Sequence, residues 1–171
     1  MLRILSAGRI TQMKEILKIL EEDARLSVEE IASMTGKPPE EVKSIIEECE
    51  RKGIIRCYKT VVDWDKLGEE PIIAFIDVKV SPERGVGFDD IAERIYRFPE
   101  VRAVYLVSGQ HDLRVQVSGK TMKEVAFFVA EKLATIDRVQ STNTHFLLKR
   151  YKEDGVTFEA PEGDRRLAVT P

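Results

Sequence analysis

Val101-Arg-Ala-Val-Tyr-Leu-Val107, Ser108-Gly109-Gln110-His111-Asp112 and Leu113-Arg-Val-Gln-Val117 form one continuous stretch, and its reading decides the fold. The outer runs read as strands, the second with strict apolar/polar alternation, and the five residues between them read as a tight reversal. Glycine reaches positive φ without a Cβ penalty, so Gly109 suits the sharp turn. Ahead of this hairpin, Ile72 to Val80 reads as a strand and Val86 to Phe98 as a helix. Beyond it, Thr121 to Ile136 reads as a helix and Val139 to Tyr151 as a strand. The order is βαββαβ, the split-βαβ or ferredoxin-like plan, with both helices on one side of the sheet.

Period-two spacing puts Ile72, Ala74, Ile76, Val78 and Val80 on one face of the first strand. In the last helix Met122, Val125, Ala126, Val129 and Leu133 recur at helical spacing and are expected to cover the sheet. The opposite side would carry Ile73 and Phe75, or Val104 and Leu106. Such apolar groups are best buried against a second copy, so at least a homodimer is expected.

The first 62 residues have a different pattern. Thr11 to Glu22 places Ile16, Leu17, Ile19 and Leu20 on a helical stripe. Ser27, with Glu30 three residues on, predicts a capping box opening a second helix, with Ile31 and Met34 inward. Gly36 suits that helix's C-terminus. Pro38-Pro39, followed by Glu40 and Glu41, opens a third helix whose buried face is Val42, Ile45, Ile46 and Cys49. Gly53 ends it, and Ile54 to Val62 reads as a strand. Three helices, a glycine turn and a strand make a winged helix-turn-helix. The third helix carries Glu40, Glu41, Glu47, Glu48 and Glu50 against Lys43, Arg51 and Lys52, five negative charges against three positive, hence a net −2. If DNA is bound, Lys37, Lys43, Ser44 and Lys59 are the candidate contacts. If it is not, the glutamates form a solvated face with i,i+4 pairs such as Glu47 with Arg51.

Composition sets the outer bounds. With 171 residues, 43% of them hydrophobic, the chain can hold one domain or two small ones. The net charge of −3 lacks the basic excess usual in nucleic-acid-binding domains. No apolar run approaches the roughly 20 residues of a membrane helix. The Met1 to Ile10 segment is too short and too interrupted by charge for a signal peptide. Cys49 and Cys57 read as reduced thiols, which fits a cytoplasmic location. Ser118-Gly119-Lys120-Thr121 resembles the end of a phosphate loop, but the first glycine of that motif would fall at Arg114. Arg84-Gly85-Val86-Gly87 leads to an aspartate where a third glycine is needed. Both read as turns. With only His111 and His145, neither a metal site nor a nucleophile-base pair is expected, nor any cofactor.

Two readings of the central turn remain open. Asp112 either satisfies local backbone groups or holds a small cationic group. A second polar cluster, Gln140-Ser141-Thr142-Asn143-Thr144, adds amides and hydroxyls. A carboxylate for an ammonium, with N–H and O–H donors for a carboxylate, is what a free α-amino acid requires.

From about Ile16 to Leu148 the chain resembles the Lrp/AsnC family of transcription regulators. The resemblance rests on Leu20-Glu-Glu-Asp-Ala-Arg25, Gly53-Ile-Ile55, Leu67-Gly68, Phe98-Pro-Glu-Val101 and Gly109-Gln-His-Asp112. It implies a winged helix-turn-helix joined to a ferredoxin-like domain that binds amino-acid effectors between dimers, with further assembly, often to octamers. On that likeness the turn Gly109, Gln110, His111 and Asp112 forms one wall of the effector pocket, and Ser141 and Thr142 are candidates for the facing wall. The chain departs from the family pattern at Pro38, where serine is common, at Ile45, where arginine is usual, and at Glu47-Glu48. The expected organisation is a DNA-binding domain over residues 1–62, a linker over 63–71, an effector and oligomerisation domain over 72–151 and an extension over 152–171. In that extension Phe158, Leu167 and Val169 suggest an arm. The function expected is an amino-acid-responsive transcriptional regulator, not an enzyme. The alternatives are a DNA-silent sensor of the same fold and, last, an enzyme resembling siroheme decarboxylase.

Overall fold

A computed structural model of the protein describes residues 7–69, 71–81 and 87–158. Two compact units make up the chain, Met1–Thr60 and Val61–Pro171. No helix among the described residues is long and apolar enough to cross a membrane.

The first unit contains α1 (Ala7–Glu22), α2 (Val28–Thr35) and α3 (Pro39–Arg51). The capping box forms: Ser27 Oγ accepts from the Glu30 N–H at 3.2 Å, and the Glu30 carboxylate accepts from the Ser27 N–H at 2.7 Å. Gly36 closes α2 at φ +66°, a left-handed conformation that strains any residue with a Cβ. Met13, Ile16, Ile31, Ala32, Val42, Ile45 and Cys49 meet in one core. Met34, expected inward, is 62% exposed, because the buried stripe of α2 is centred on Ile31 and Ala32.

The strand expected from Ile54 to Val62 does not form. Its first residues terminate α3 instead. Gly53 adopts φ +66°, and the Ile54 and Ile55 N–H groups both donate to the Cys49 carbonyl, at 2.8 and 3.2 Å. No strand among the described residues of this unit offers the rest of the segment a ladder, and a strand without a partner gains no hydrogen bonds.

The second unit is the expected βαββαβ: β1 (Ile72–Val80), α4 (Asp89–Tyr96), β2 (Val101–Leu106), β3 (Leu113–Gly119), α5 (Met122–Phe127) and β4 (Val139–Phe146). The four strands form one sheet in the order β2-β3-β1-β4, with each pair antiparallel. The start expected for α4, Val86, lies outside the described residues, as do Arg84 and Gly85. The last strand stops at Phe146 rather than Tyr151. Beyond it a two-residue hairpin, β5 (Lys152–Glu153) and β6 (Val156–Thr157), opens the extension. Leu167 and Val169 lie outside the described residues.

Ala74, Ile76, Val78, Leu113, Val115 and Val117 pack beneath Ile91, Ile95, Val125, Phe128 and Leu133. Two local irregularities move side chains from their expected faces. In β2 the register shifts between Val101 and Ala103, so that Val104 pairs with Val115 and Leu106 with Leu113. This bulge turns Val104 to the helix side, and Ala103 and Tyr105 take the open face. Leu106, at the strand's end, stays exposed beside the turn. After α5 the helix continues as a π-turn, Phe128–Leu133, in which the Ala134 N–H reaches the Val129 carbonyl at 2.8 Å. The wider turn lets Phe128 and Leu133, five residues apart, share the buried face. Met122 and Ala126 are left exposed.

Candidate functional site

The decisive turn lies where β2 passes into β3. The Val107 N–H donates to the Asp112 carbonyl at 2.9 Å, and the Asp112 N–H donates to the Val78 carbonyl at 3.1 Å. Between them Gly109 takes φ +133°, far from any conformation that L side chains favour. The carboxylate of Asp112 turns back onto β1. It accepts from the Val80 N–H at 3.0 Å and from Lys79 Nζ at 3.2 Å. The Val80 hydrogen bond, with Lys79 behind it, holds the Asp112 carboxyl below the usual range.

A recess of about 520 Å³ opens beside this turn, lined by Asp77, Leu106, Val107, Ser108, Gln110, His111 and Arg114. Asp77 and Arg114 are register partners on the open face of the sheet. Arg114 donates from Nε and Nη2 to the two oxygens of Asp77, at 2.8 and 3.2 Å. That fork keeps the Asp77 carboxyl ionised to lower pH than usual. His145 Nε2 stands 3.4 Å from Asp77 Oδ2 and 3.1 Å from Asn143 Nδ2. The recess therefore presents a carboxylate and a half-exposed guanidinium to one small volume, with the side chains of Gln110 and His111 above them.

Of the residues expected from the sequence, Gln110 and His111 line the recess, and Gly109 shapes it from within the turn. Asp112 is committed to Lys79 and Val80. Ser141 pairs with Lys79 on the open face, whereas Thr142 pairs with Val78 and so shares the face of the helix-covered core. Neither lines the recess. Asp77 and Arg114 were not anticipated. The signal was available: Asp77 is a charge in the apolar run Ile72 to Val80, on the face opposite Ile76 and Val78.

A larger and mostly apolar cavity of about 930 Å³ lies at the far end of the sheet, with Trp64, Pro71, Pro99, Phe127 and Phe128 in its wall. The Ser118 to Thr121 turn borders it as a cap, not a phosphate loop. Thr121 Oγ1 accepts from the Glu124 N–H at 3.1 Å, and the Glu124 carboxylate accepts from the Lys120 N–H at 2.7 Å.

In the first unit the candidate DNA contacts divide. Lys37 is tied to Glu15 at 2.6 Å, with its side chain 16% exposed. Lys43, Ser44 and Lys59 are exposed. Much of the acidity of α3 is answered locally. Glu48 accepts from Lys52 at 2.6 Å and from Arg9 at 2.9 Å, contacts that bring its carboxyl down to about 2. Glu50 accepts from the Tyr58 hydroxyl at 2.7 Å, and burial together with that carboxylate pushes the phenol up to about 12.

The two units match two family models. Residues 11–56 fit a winged helix-turn-helix DNA-binding model, and residues 73–157 fit the Lrp/AsnC ligand binding domain. The chain is 53% identical over 158 residues to the HTH-type transcriptional regulator YugG of Bacillus subtilis, covering 92% of this chain and 95% of that one. The chain belongs to the Lrp/AsnC family of transcriptional regulators. It is also 34% identical to the HTH-type transcriptional regulator PH0140 of Pyrococcus horikoshii, over 78% of this chain and 82% of the other. Among solved structures, the transcriptional regulator NMB0573 of Neisseria meningitidis in complex with L-Met superposes with a TM-score of 0.68 at 24% identity. That match covers 91% of this chain and 97% of the other. This Lrp/AsnC regulator thus joins a DNA-binding helix-turn-helix unit to a ligand-binding ferredoxin-like unit.

Proposed function

We propose that this regulator binds a free α-amino acid in the recess beside the Gly109 to Asp112 turn and that the bound effector alters its assembly on DNA. The observation that carries the reading is the pairing of opposite charges in one small recess. A bound amino acid exchanges the Asp77–Arg114 fork for its own two ends, its α-carboxylate meeting Arg114 and its α-ammonium meeting Asp77, with Leu106 and Val107 to contact the side chain. The L-Met complex of the Neisseria meningitidis regulator supports this ligand class.

A homo-oligomer completes the reading. The open face of the sheet carries Ile73 and Phe75, both half-buried, with Tyr105 55% exposed beside them. Covering that face with a second copy gives a homodimer, and association of dimers, up to an octamer, places further walls around the recess. Ser141 and Asp112 then act at the edge of the effector site through Lys79, while Thr142 packs toward the core. Ligand acts by preferring one assembly over another, because a ligand shifts an equilibrium only by its differential affinity. Work on DNA places the protein in the cytoplasm.

The test is calorimetric titration of the purified protein with L-methionine, beside light scattering and binding to its own upstream DNA across a salt series. Saturable binding that Arg114→Gln weakens, together with a change in assembly or DNA affinity, supports the proposal. A full panel of amino acids without heat or change in mass overturns the effector assignment. DNA binding at low salt that fades as salt rises separates the regulator from a DNA-silent sensor.

A further inference from the structure

The acidic character of α3 calls for a physical account, because a helix that approaches phosphates should not carry surplus carboxylates. Several of its glutamates have local roles. Glu48 is held between Arg9 and Lys52, and Glu50 accepts from Tyr58. Glu40 and Glu41 sit in the first turn, where a carboxylate complements the free N–H groups. Glu47 has no such role. It is exposed in the middle of the helix and makes no hydrogen bond or ion pair among the described residues.

Its neighbours on the surface are informative. At about 100° per residue, with Lys43 as zero, Glu47, Arg51 and Ser44 fall at about 40°, 80° and 100°. The buried residues Ile45, Cys49 and Val42 fall on the opposite side, at about 200–260°. Lys43, Ser44, Glu47 and Arg51 therefore lie on one exposed stripe, which Glu40 joins at about 60° from the first turn and Glu50 borders at about 340°. Lys43, Ser44, Glu47 and Arg51 have no hydrogen-bond or ion-pair partner among the described residues. Lys43 and Arg51 lie about 12 Å apart along the axis, with Glu47 about 6 Å from each. The major groove of B-DNA, about 12 Å wide, admits an α-helix, so the axial spacing of Lys43 and Arg51 runs along the groove beside the phosphates that border it. A helix laid in that groove can set its two end cations toward the bordering phosphates and its central carboxylate over the base edges.

A carboxylate in the groove has few favourable partners. Guanine presents acceptors at N7 and O6, thymine an acceptor and a methyl group, and adenine sets its amino donor beside the N7 acceptor. Cytosine presents the N4 amino donor alone. We infer that Glu47 reads the N4 amino group of a cytosine in the major groove, flanked by phosphate contacts from Lys43 and Arg51. The unpartnered carboxylate then becomes a specificity element, repelled by DNA in general and accepted where a cytosine answers it. The inference rests on the DNA-binding reading of this unit.

The experiment uses the full-length protein and a pool of random-sequence duplexes, selected in parallel with wild type, Glu47→Ala and Glu47→Gln. Because Glu47 is exposed and makes no hydrogen bond or ion pair among the described residues, both variants are expected to retain the fold, which circular dichroism checks. The expected result is an invariant cytosine in wild-type sites. It relaxes to any base with Glu47→Ala and moves toward adenine with Glu47→Gln, as an amide pairs with adenine N6 and N7. Replacing that cytosine by 2-pyrimidinone, which lacks the amino group, should weaken wild-type binding roughly 5- to 150-fold and leave Glu47→Ala unchanged. Affinity of both variants for random duplex should rise, since a negative charge has been removed. Identical base preferences in all three proteins overturn the assignment of Glu47 while leaving DNA binding intact. Absence of binding to any duplex at low salt overturns the DNA-binding reading and the inference together.

Discussion

Replacing Gly109 by alanine tests the geometry of the effector turn with little else disturbed. A Cβ built on Gly109 meets no atom within 4 Å, so the substitution introduces no clash. Its cost comes from the backbone, because φ +133° is a conformation that L residues rarely adopt. Holding a residue in such a region costs about 1–3 kcal/mol. The lower entropy of alanine in the unfolded chain returns about 0.4–1 kcal/mol. The net loss is about 0–2.6 kcal/mol, centred on about 1.3 kcal/mol, at about 4–8 °C per kcal/mol for a domain of 60–100 residues. The turn has two ways to respond. If it keeps its shape, the second unit melts lower and L-methionine affinity is retained. If it relaxes, the melting loss shrinks, Gln110 and His111 leave their places above Arg114, and affinity falls. Thermal denaturation and calorimetry on the same samples distinguish the two responses. Gly8 of α1, also with open space at its Cβ, serves as a control that should tolerate alanine without loss. A Gly109→Ala protein with both wild-type melting and wild-type affinity would refute the reasoning.

Three further outcomes follow from the same geometry. Ser27→Ala removes the acceptor for the Glu30 N–H and should lower the stability of the first unit by about 1 kcal/mol, read from urea unfolding. Asp112→Asn removes the charge that Lys79 answers. The folded carboxyl titrates below its unfolded value of about 3.9, so it stabilises the fold above that pH and loses the contribution as pH falls through the folded value. The variant should therefore show a flatter acid limb in a plot of melting temperature against pH, and an unchanged limb would dismiss the contact. Lys43→Ala and Arg51→Ala should each weaken DNA binding about equally across sequences and reduce the salt slope by about one. A slope equal to that of the wild type would place these residues away from the phosphates.

The sequence by itself determined the fold and its local stops. Alternation in Ile72 to Val80 and Leu113 to Val117, the Ser27/Glu30 box and Gly36 depend only on neighbours a few residues away, and each forms as the residues dictate. It also pointed to the Gly109 turn, because only glycine accommodates that φ. Tertiary structure decided what depends on partners distant along the chain. The bulge at Arg102 exchanged the faces of Val104 and Tyr105, and a one-residue slip in a strand is invisible until its register with β3 exists. The π-turn brought Leu133 onto the buried face with Phe128, while Met122 and Ala126 on the preceding turn stayed exposed. The segment from Ile54 lacked a pairing edge and ended a helix instead. The recess was legible only in half: the turn could be read locally, but Asp77 and Arg114, 37 residues apart, face each other through antiparallel pairing alone. A turn is set by short-range torsions, whereas a site of opposed charges exists only once the sheet has brought its walls together.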